Sequence, residues 1–360
     1  MKNAEPVPDP VRGRYAPSPT GLLHLGNART ALAAWLSVRA QRGTFVWRLE
    51  DLDGPRTVPG MAEAALRDLA WLGLDWDEGP GWAEGGTGRD EGAGCNAGDV
   101  PQPFPLSTFP SSVPESGPHA PYHQSARGAI YEAALRQLAE TGRLFPCRRS
   151  RRDLAGLASA PHGAEGLPPY PREWRPQALA ADWFETEADC ALRFRVSDGL
   201  VCFDDRVQGR VCEDVAAAVG DFVLRRRDGL YAYQLAVVVD DLAMGITEVV
   251  RGADLLDSTA RQIQLIEALG GNPPAYAHVG LVVNEAGEKL SKRDAALSLA
   301  ALREAGVAPE AVVGWLGWSL GLWEVPCPAR ALVERFAWKH VSPGTVVAPG
   351  DLPDRLCAAR

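Results

Sequence analysis

The sequence predicts an α/β fold built on an open parallel sheet, and three stretches predict it. Residues 14–30, Arg-Tyr-Ala-Pro-Ser-Pro-Thr-Gly-Leu-Leu-His-Leu-Gly-Asn-Ala-Arg-Thr, read as strand, tight turn and helix. A residue before proline is pushed out of the helical region, and both Ala16 and Ser18 precede one, so this segment leaves its strand extended. From Ala28 to Leu36 the apolar residues then fall at helical spacing. Next, Phe45-Val-Trp-Arg-Leu49 reads as a strand ending on Glu50-Asp51-Leu52-Asp53, followed by an amphipathic helix over 59–72. The third stretch, Gln234-Leu-Ala-Val-Val-Val239, has the β-branched enrichment of a buried parallel strand, or of its helical counterpart in such a fold.

The remaining elements follow in order. From about Gly79 to His119 the periodicity disappears among Gly, Pro and Ser, which predicts a flexible surface insertion without a core of its own. Ile130 to Ala139 is an amphipathic helix, and Arg143-Leu-Phe-Pro-Cys147 a strand. Ala191 to Val196 and Gly209 to Cys212 read as strands, and Phe222-Val-Leu-Arg225 as a return to the main sheet. Val249 to Gly252 is a short strand turning into a helix with Ile263, Leu265, Ile266 and Leu269. Ala311 to Leu322, rich in Trp, is a helix whose tryptophans belong to the core rather than to a base-stacking platform.

Composition bounds the function. A chain of 360 residues suffices for two or three domains with sizeable cores. No apolar run approaches the ~20 residues needed to cross a bilayer, and residues 1–10 lack a signal-peptide core, so a cytoplasmic protein is expected. Seven cysteines without a C-x-x-C pair are expected to be reduced thiols rather than a disulfide framework. The net charge of −9 argues against general DNA coating. It leaves room for local basic patches, of which there are two: Arg143, Arg148, Arg149, Arg151 and Arg152, and Arg225-Arg226-Arg227. Each is either a solvated face or a backbone-contacting surface for RNA.

The chemistry centres on phosphate. A strand–turn–helix unit offers free N–H groups and the positive end of a helix dipole, and His24 sits near that helix start, placed to reach a phosphate oxygen. Far down the chain, Lys289-Leu290-Ser291-Lys292-Arg293 supplies cations on a loop framed by Gly287. Arg14 and Arg251 are of the type that grips carboxylates in bidentate fashion. Asp51 and Asp53 either face a ligand at a strand end or cap the following turn.

On these residues the chain resembles class I aminoacyl-tRNA synthetases. His24-Leu25-Gly26-Asn27 stands where their HIGH signature lies, and Lys289 to Arg293 where their KMSKS loop lies. Arg14 to Gly21, Leu49 to Asp53, Tyr233 to Asp241 and Gly245 to Asp254 carry the match to the glutamyl-tRNA synthetase branch. The resemblance covers roughly residues 12–80 and 122–300. It implies a Rossmann-like nucleotide-binding fold with an inserted subdomain and a short C-terminal helical region. The expected division is 11–120 for the first half of the catalytic domain, 121–215 for an inserted acceptor-contacting subdomain, 216–275 for the second half, and 276–360 for the loop and C-terminal region.

The resemblance also implies the site. His24, Lys289, Ser291 and Lys292 would be catalytic. ATP, with Mg2+, would lie against His24, Gly26, Asn27 and Lys292. Glutamate would lie against Arg14, Tyr15, Ala16, Pro17, Ser18, Glu50, Tyr233 and Arg251, with Glu50 meeting the ammonium group.

About 65 residues follow Arg293, which is short for an anticodon-reading domain. The resemblance is therefore to the shortened paralogues that attach glutamate to queuosine in the anticodon of tRNA(Asp). Those hold zinc at positions that correspond here to Cys147, Arg149, Tyr170 and Trp174. One thiol and a guanidinium do not make a zinc shell, so no zinc is expected. A truncated glutamyl-tRNA synthetase charging a tRNA 3′ end, a small nucleotidyltransferase sharing the H-x-G turn, and a non-catalytic RNA-binding paralogue are the alternatives.

Overall fold

The computed structural model describes residues 10–80, 115–155, 168–187, 189–290, 294–323 and 325–359. Its centre is a six-stranded sheet. The first unit is strand β1 (Arg12–Tyr15), helix α1 (Leu25–Ala40) and strand β2 (Thr44–Trp47), which pairs in parallel with β1. Helix α2 (Met61–Trp71) follows. After helix α3 (Gly128–Glu140) come β3 (Leu144–Cys147), β4 (Ala191–Phe194), β5 (Val201–Asp205), β6 (Gly209–Glu213) and β7 (Phe222–Arg225). Helix α4 (Tyr233–Ala243), strand β8 (Glu248–Gly252), helix α5 (Thr259–Ala268) and strand β9 (Ala275–Val279) complete this α/β layer. The order across the main sheet is β2-β1-β8-β9-β5-β6, parallel throughout except for the β5–β6 hairpin at the edge. The choice between strand and helix at residues 234–239 falls to helix, since they lie inside α4.

Side-chain alternation along these strands decides what faces what. Gly13 pairs with Glu248, so Arg14 and Arg251 fall on the face shared with Val46 and Val249, while Tyr15, Trp47 and Val250 fall on the other. The second face packs on α1 and α2 in one core with Leu32, Trp35, Leu36, Leu66 and Leu69. On the first face Val46, Val249 and Tyr276 pack with Met244 and with Ile263 of α5, while Leu135 of α3, Val238 of α4 and Leu265 of α5 form a separate core with Leu192 and Phe194 of β4 and Leu224 of β7.

Three expectations need correction. β7 does not return to the main sheet; with β4 and β3 it forms a separate antiparallel three-stranded sheet, and it is the β5–β6 hairpin that extends the main one. The pattern of a short strand says nothing about its pairing partner, which tertiary contacts choose. Nor are all the thiols reduced: Cys202 and Cys212 face each other across that hairpin, 4.1 Å apart at Cα, and form a disulfide. A ten-residue separation without C-x-x-C hid a pair that only the hairpin register creates. Finally, helix α6 (Pro309–Leu320) carries its Trp residues unequally, with Trp315 packed on the core and Trp318 46% exposed.

Residues 81–114 of the expected insertion lie outside the described residues. Its flanks, Gly79–Pro80 and Glu115–Ser116, pair antiparallel. Among the described residues no helix is long and apolar enough to cross a membrane.

Candidate active site

The strand order reverses between β1 and β8, since the chain steps outward from β1 to β2 on one side and to β8 and β9 on the other. In open α/β sheets the crevice beyond the strand ends at such a point is where ligands bind. Arg14 lies at the end of β1 and Arg251 at the end of β8, both on the α4–α5 face and both buried.

Their surroundings differ. Arg14 reaches Asp241 on α4 through Nε (3.3 Å) and Nη2 (3.4 Å), and donates from Nη1 to the Val250 carbonyl. The same Asp241 accepts from Arg48 at 2.7 Å, and Arg48 also donates to Glu50 at 3.3 Å. Burial raises the Glu50 carboxyl's pKa, against the pull of Arg48 and Arg14. Arg251 instead is held by uncharged acceptors: Nε to His278 Nε2 at 2.9 Å, Nη1 to Gln262 Oε1 at 2.7 Å and Nη2 to Thr259 Oγ1 at 2.9 Å. It stacks 5.7 Å from the Tyr276 ring centroid. None of the ion pairs among the described residues involves it. A buried guanidinium with N–H groups to spare and no carboxylate in contact has the chemistry to hold an anion.

Segment 14–18 threads this site. The Glu50 amide donates to the Pro17 carbonyl at 3.0 Å, Ala16 is half-buried, and Ser18 is exposed. Tyr15 is the exception among the expected contacts. Its ring points through the sheet into the α1–α2 core, where burial and Asp68 raise its pKa, so only its backbone faces the ligand side. The alternation that brings Arg14 to the site takes Tyr15 away from it. Tyr233 opens α4 with its side chain partly exposed, and it shares a cavity of about 930 Å3 with Ser18, Glu50 and Gln234. The same cavity is walled by Arg149, Tyr170, Arg193, Arg226 and Arg227 of the smaller sheet's surroundings. Thus members of both basic patches open onto the crevice.

On the α1 side, His24 is the N-cap of the helix. Its Nδ1 accepts from the amides of Gly26 (3.1 Å) and Asn27 (3.3 Å), while Asn27 Oδ1 accepts from the His24 amide (3.1 Å). The expected free N–H groups are therefore taken up by the imidazole, which presents Nε2–H in their place. A Cβ on Gly26 would sit 3.0 Å from ring atoms of His24, so any larger residue here presses on the ring. Burial first, then the nearby Lys289, lower the His24 pKa to about 4, so the ring is a neutral donor. Lys289 forms an ion pair with Asp254, and Asp254 and Asp294 both act on His24. Ser291 and Lys292 lie outside the described residues, but Lys289 and Asp294 on either side of them converge on His24.

The four positions weighed for zinc also cluster. Cys147 Sγ lies 3.3 Å from the Tyr170 hydroxyl, Tyr170 meets Trp174 edge-on, and the Arg149 guanidinium lies 5.0 Å from the Trp174 centroid. Among the described residues no three His, Cys, Asp or Glu side chains gather for a metal.

Sequence reasoning missed Asp241, Arg48, Thr259, Gln262, His278 and Asp205. Acidic and polar residues on a helix carry no sign that they face a strand 227 positions away.

Residues 10–340 match the family model described as tRNA synthetases class I (E and Q), catalytic domain. The chain belongs to that family. Within it, the chain is 46% identical to the glutamyl-Q tRNA(Asp) synthetase of Symbiobacterium thermophilum, over 88% of this chain and 89% of the relative. It is 40% identical to the glutamate–tRNA ligase of Burkholderia thailandensis over 92% of its length, but spans only 63% of that protein. A crystal structure of the glutamate tRNA ligase of Elizabethkingia meningosepticum in complex with its amino acid superposes with a TM-score of 0.75 at 27% identity, covering 97% of this chain and 69% of that one. The chain thus falls among the glutamyl-Q tRNA(Asp) synthetases.

Proposed function

We propose that this enzyme activates L-glutamate with ATP and transfers it to queuosine in the anticodon of tRNA(Asp). The observation that carries the reading is Arg251, a buried cation held only by neutral groups beside Glu50, Arg14 and Tyr233. Glutamate brings two carboxylates and one ammonium group. Arg251 and Arg14 grip the carboxylates, Glu50 takes the ammonium group, Tyr233 hydrogen-bonds the ligand, and Ala16, Pro17 and Ser18 with the Tyr15 backbone form the wall.

In activation a glutamate carboxylate oxygen attacks the α-phosphorus of ATP, and the bond to pyrophosphate breaks. That carboxylate is already ionised at neutral pH, so no general base is needed. Catalysis rests on alignment and on stabilising charge that builds on the phosphates. The His24 Nε2–H donates to a phosphate oxygen beside Gly26 and Asn27, and Lys289, with Ser291 and Lys292 of the same segment, neutralises charge on the phosphates. Mg2+ enters with ATP as part of the substrate. In the second step an acceptor hydroxyl attacks the glutamyl carbonyl and AMP leaves. The cavity between crevice and smaller sheet, with Arg149, Arg226 and Arg227 on its wall, supports entry of an RNA loop at this point.

The test is incubation with labelled glutamate and ATP, comparing queuosine-containing with queuosine-free tRNA(Asp). Label confined to the modified RNA is expected. Equal labelling of both, or labelling of a tRNA(Glu) 3′ end, rejects the acceptor.

A further inference from the structure

Arg251 does not hold its place alone. β8 and β9 pair so that Arg251 lies opposite His278, and β9 and β5 pair so that Tyr276 lies opposite Asp205. The three side chains therefore share one face of the sheet. His278 and Asp205 are both fully buried in their side chains, and His278 Nδ1 lies 2.6 Å from Asp205 Oδ2.

The hydrogen bonds determine the tautomer. A guanidinium Nε can only donate, so His278 Nε2 accepts from Arg251 and the ring proton sits on Nδ1, donated to Asp205. Asp205 Oδ1 is fixed in turn by the backbone amides of Val207 (3.0 Å), Gln208 (2.8 Å) and His278 itself (3.1 Å). Burial opposes the ionised form of Asp205, but these bonds outweigh it and lower its pKa to about 2. Burial lowers the His278 pKa, so the ring is neutral at neutral pH.

We propose that Asp205 and His278 are positioning residues for the amino-acid pocket: Asp205 fixes the His278 tautomer, and His278 aims the Arg251 guanidinium at the substrate carboxylate. The inference rests on Arg251 gripping glutamate. The arrangement puts an anion one imidazole away from Arg251, so the guanidinium is oriented without giving up its own carboxylate-binding edge. A carboxylate in direct contact would occupy that edge. Neither residue touches substrate.

The experiment is glutamate-dependent ATP–pyrophosphate exchange with the full chain, following the KM for glutamate, the KM for ATP and kcat separately. In Asp205→Asn the amide can donate to Nδ1 and move the ring proton to Nε2, where it meets the Arg251 N–H head-on. The expected result is a glutamate KM raised about tenfold or more, with the ATP KM within about twofold. His278→Leu should behave alike. His278→Gln, whose amide oxygen can stand near the lost Nε2, should recover part of the affinity. In histidine-selective 15N spectra the wild-type ring is expected as the Nδ1–H tautomer, and the Asp205→Asn ring as Nε2–H.

Unchanged glutamate KM in folded Asp205→Asn and His278→Leu, while Arg251→Lys raises it, overturns the positioning role and leaves the functional reading standing. Equal rises in both KM values mark a merely structural role and overturn it too. Should Asp205→Asn not fold, the two His278 variants decide. Absence of glutamate-dependent exchange in the wild type overturns the functional reading, and this inference with it.

Discussion

Arg251→Lys is the sharpest probe of the pocket, because it keeps the charge and removes the fork. The guanidinium uses three of its N–H groups on His278, Gln262 and Thr259 at 2.7–2.9 Å, leaving one on each terminal nitrogen for a ligand carboxylate. An ammonium group has three hydrogens at a single point and cannot satisfy those three acceptors and a carboxylate together. At least one charge-assisted bond to the substrate is lost, each worth about 1.5–3 kcal/mol. The glutamate KM should therefore rise roughly 10- to 100-fold. The ATP KM should not move, since His24 and Lys289 lie on the α1 side of the crevice. Glutamate-dependent pyrophosphate exchange reads both. A folded Arg251→Lys enzyme with wild-type glutamate dependence would remove this residue from the pocket and refute the reasoning built on its missing carboxylate partner.

Four further outcomes are expected. Gly26→Ala places a methyl group 3.0 Å from the His24 ring and should displace it, lowering kcat by about tenfold or more while the glutamate KM holds; a wild-type kcat would contradict the packing argument. His24, with its folded pKa lowered to about 4 from 6.5, binds fewer protons folded than unfolded, so its contribution is fully present above pH 6.5 and is lost as pH falls through 4. That is at most about 3 kcal/mol, seen as unfolding free energy declining with acidification in this window and less so in His24→Asn. Reduction of Cys202–Cys212, or Cys202→Ser, should destabilise the protein by about 2–3 kcal/mol through release of a short loop; the bond itself is checked by mass after alkylation under denaturing, non-reducing conditions, where two cysteines should stay unlabelled. Asp241→Asn uncovers Arg14 and Arg48 together and should cost about 3–5 kcal/mol in urea unfolding, whereas little change would mean neighbouring Asp240 and Glu50 already neutralise the pair.

What could be read in the sequence was local. The strand–turn–helix around His24, the strand before Glu50 and the amphipathic helices depend on residues within a turn or two of one another, and each lies close to its expected place. Residue pairing across the fold was not readable. Whether Tyr15 or Arg14 faces the ligand depends on which neighbour β1 meets and at what register. That choice is made by Glu248, 235 residues beyond its partner Gly13. The same holds for β7, for the disulfide, and for His278, whose importance follows from lying opposite Arg251 rather than from its own neighbours. Trp318 shows the converse limit: helical periodicity places it on a helix but not on a buried face.

The two pocket arginines are not interchangeable, and the charge pattern says why. Arg14 and Arg48 lie against Asp241 and Glu50, and Arg127 against Asp240, at 2.6–3.4 Å, with Arg48 Nε 3.7 Å from Asp240 joining the two sets into a buried group of three guanidinium groups and three carboxylates. Such a network is balanced before any ligand arrives, so it sets shape rather than driving binding. Arg251 stands outside it, touched only by neutral groups, with Asp205 reaching it through an imidazole. Ionised glutamate carries two negative charges and one positive, a net of one negative. It supplies what Arg251 lacks, while its ammonium group can exchange places with Arg48 at Glu50 without upsetting the balance. A pocket with both arginines paired would hold a zwitterion of any side chain. On the proposed reading, leaving one unpaired selects for the extra carboxylate, and the Asp205–His278 pair beneath it offsets the cost of keeping a buried cation uncompensated.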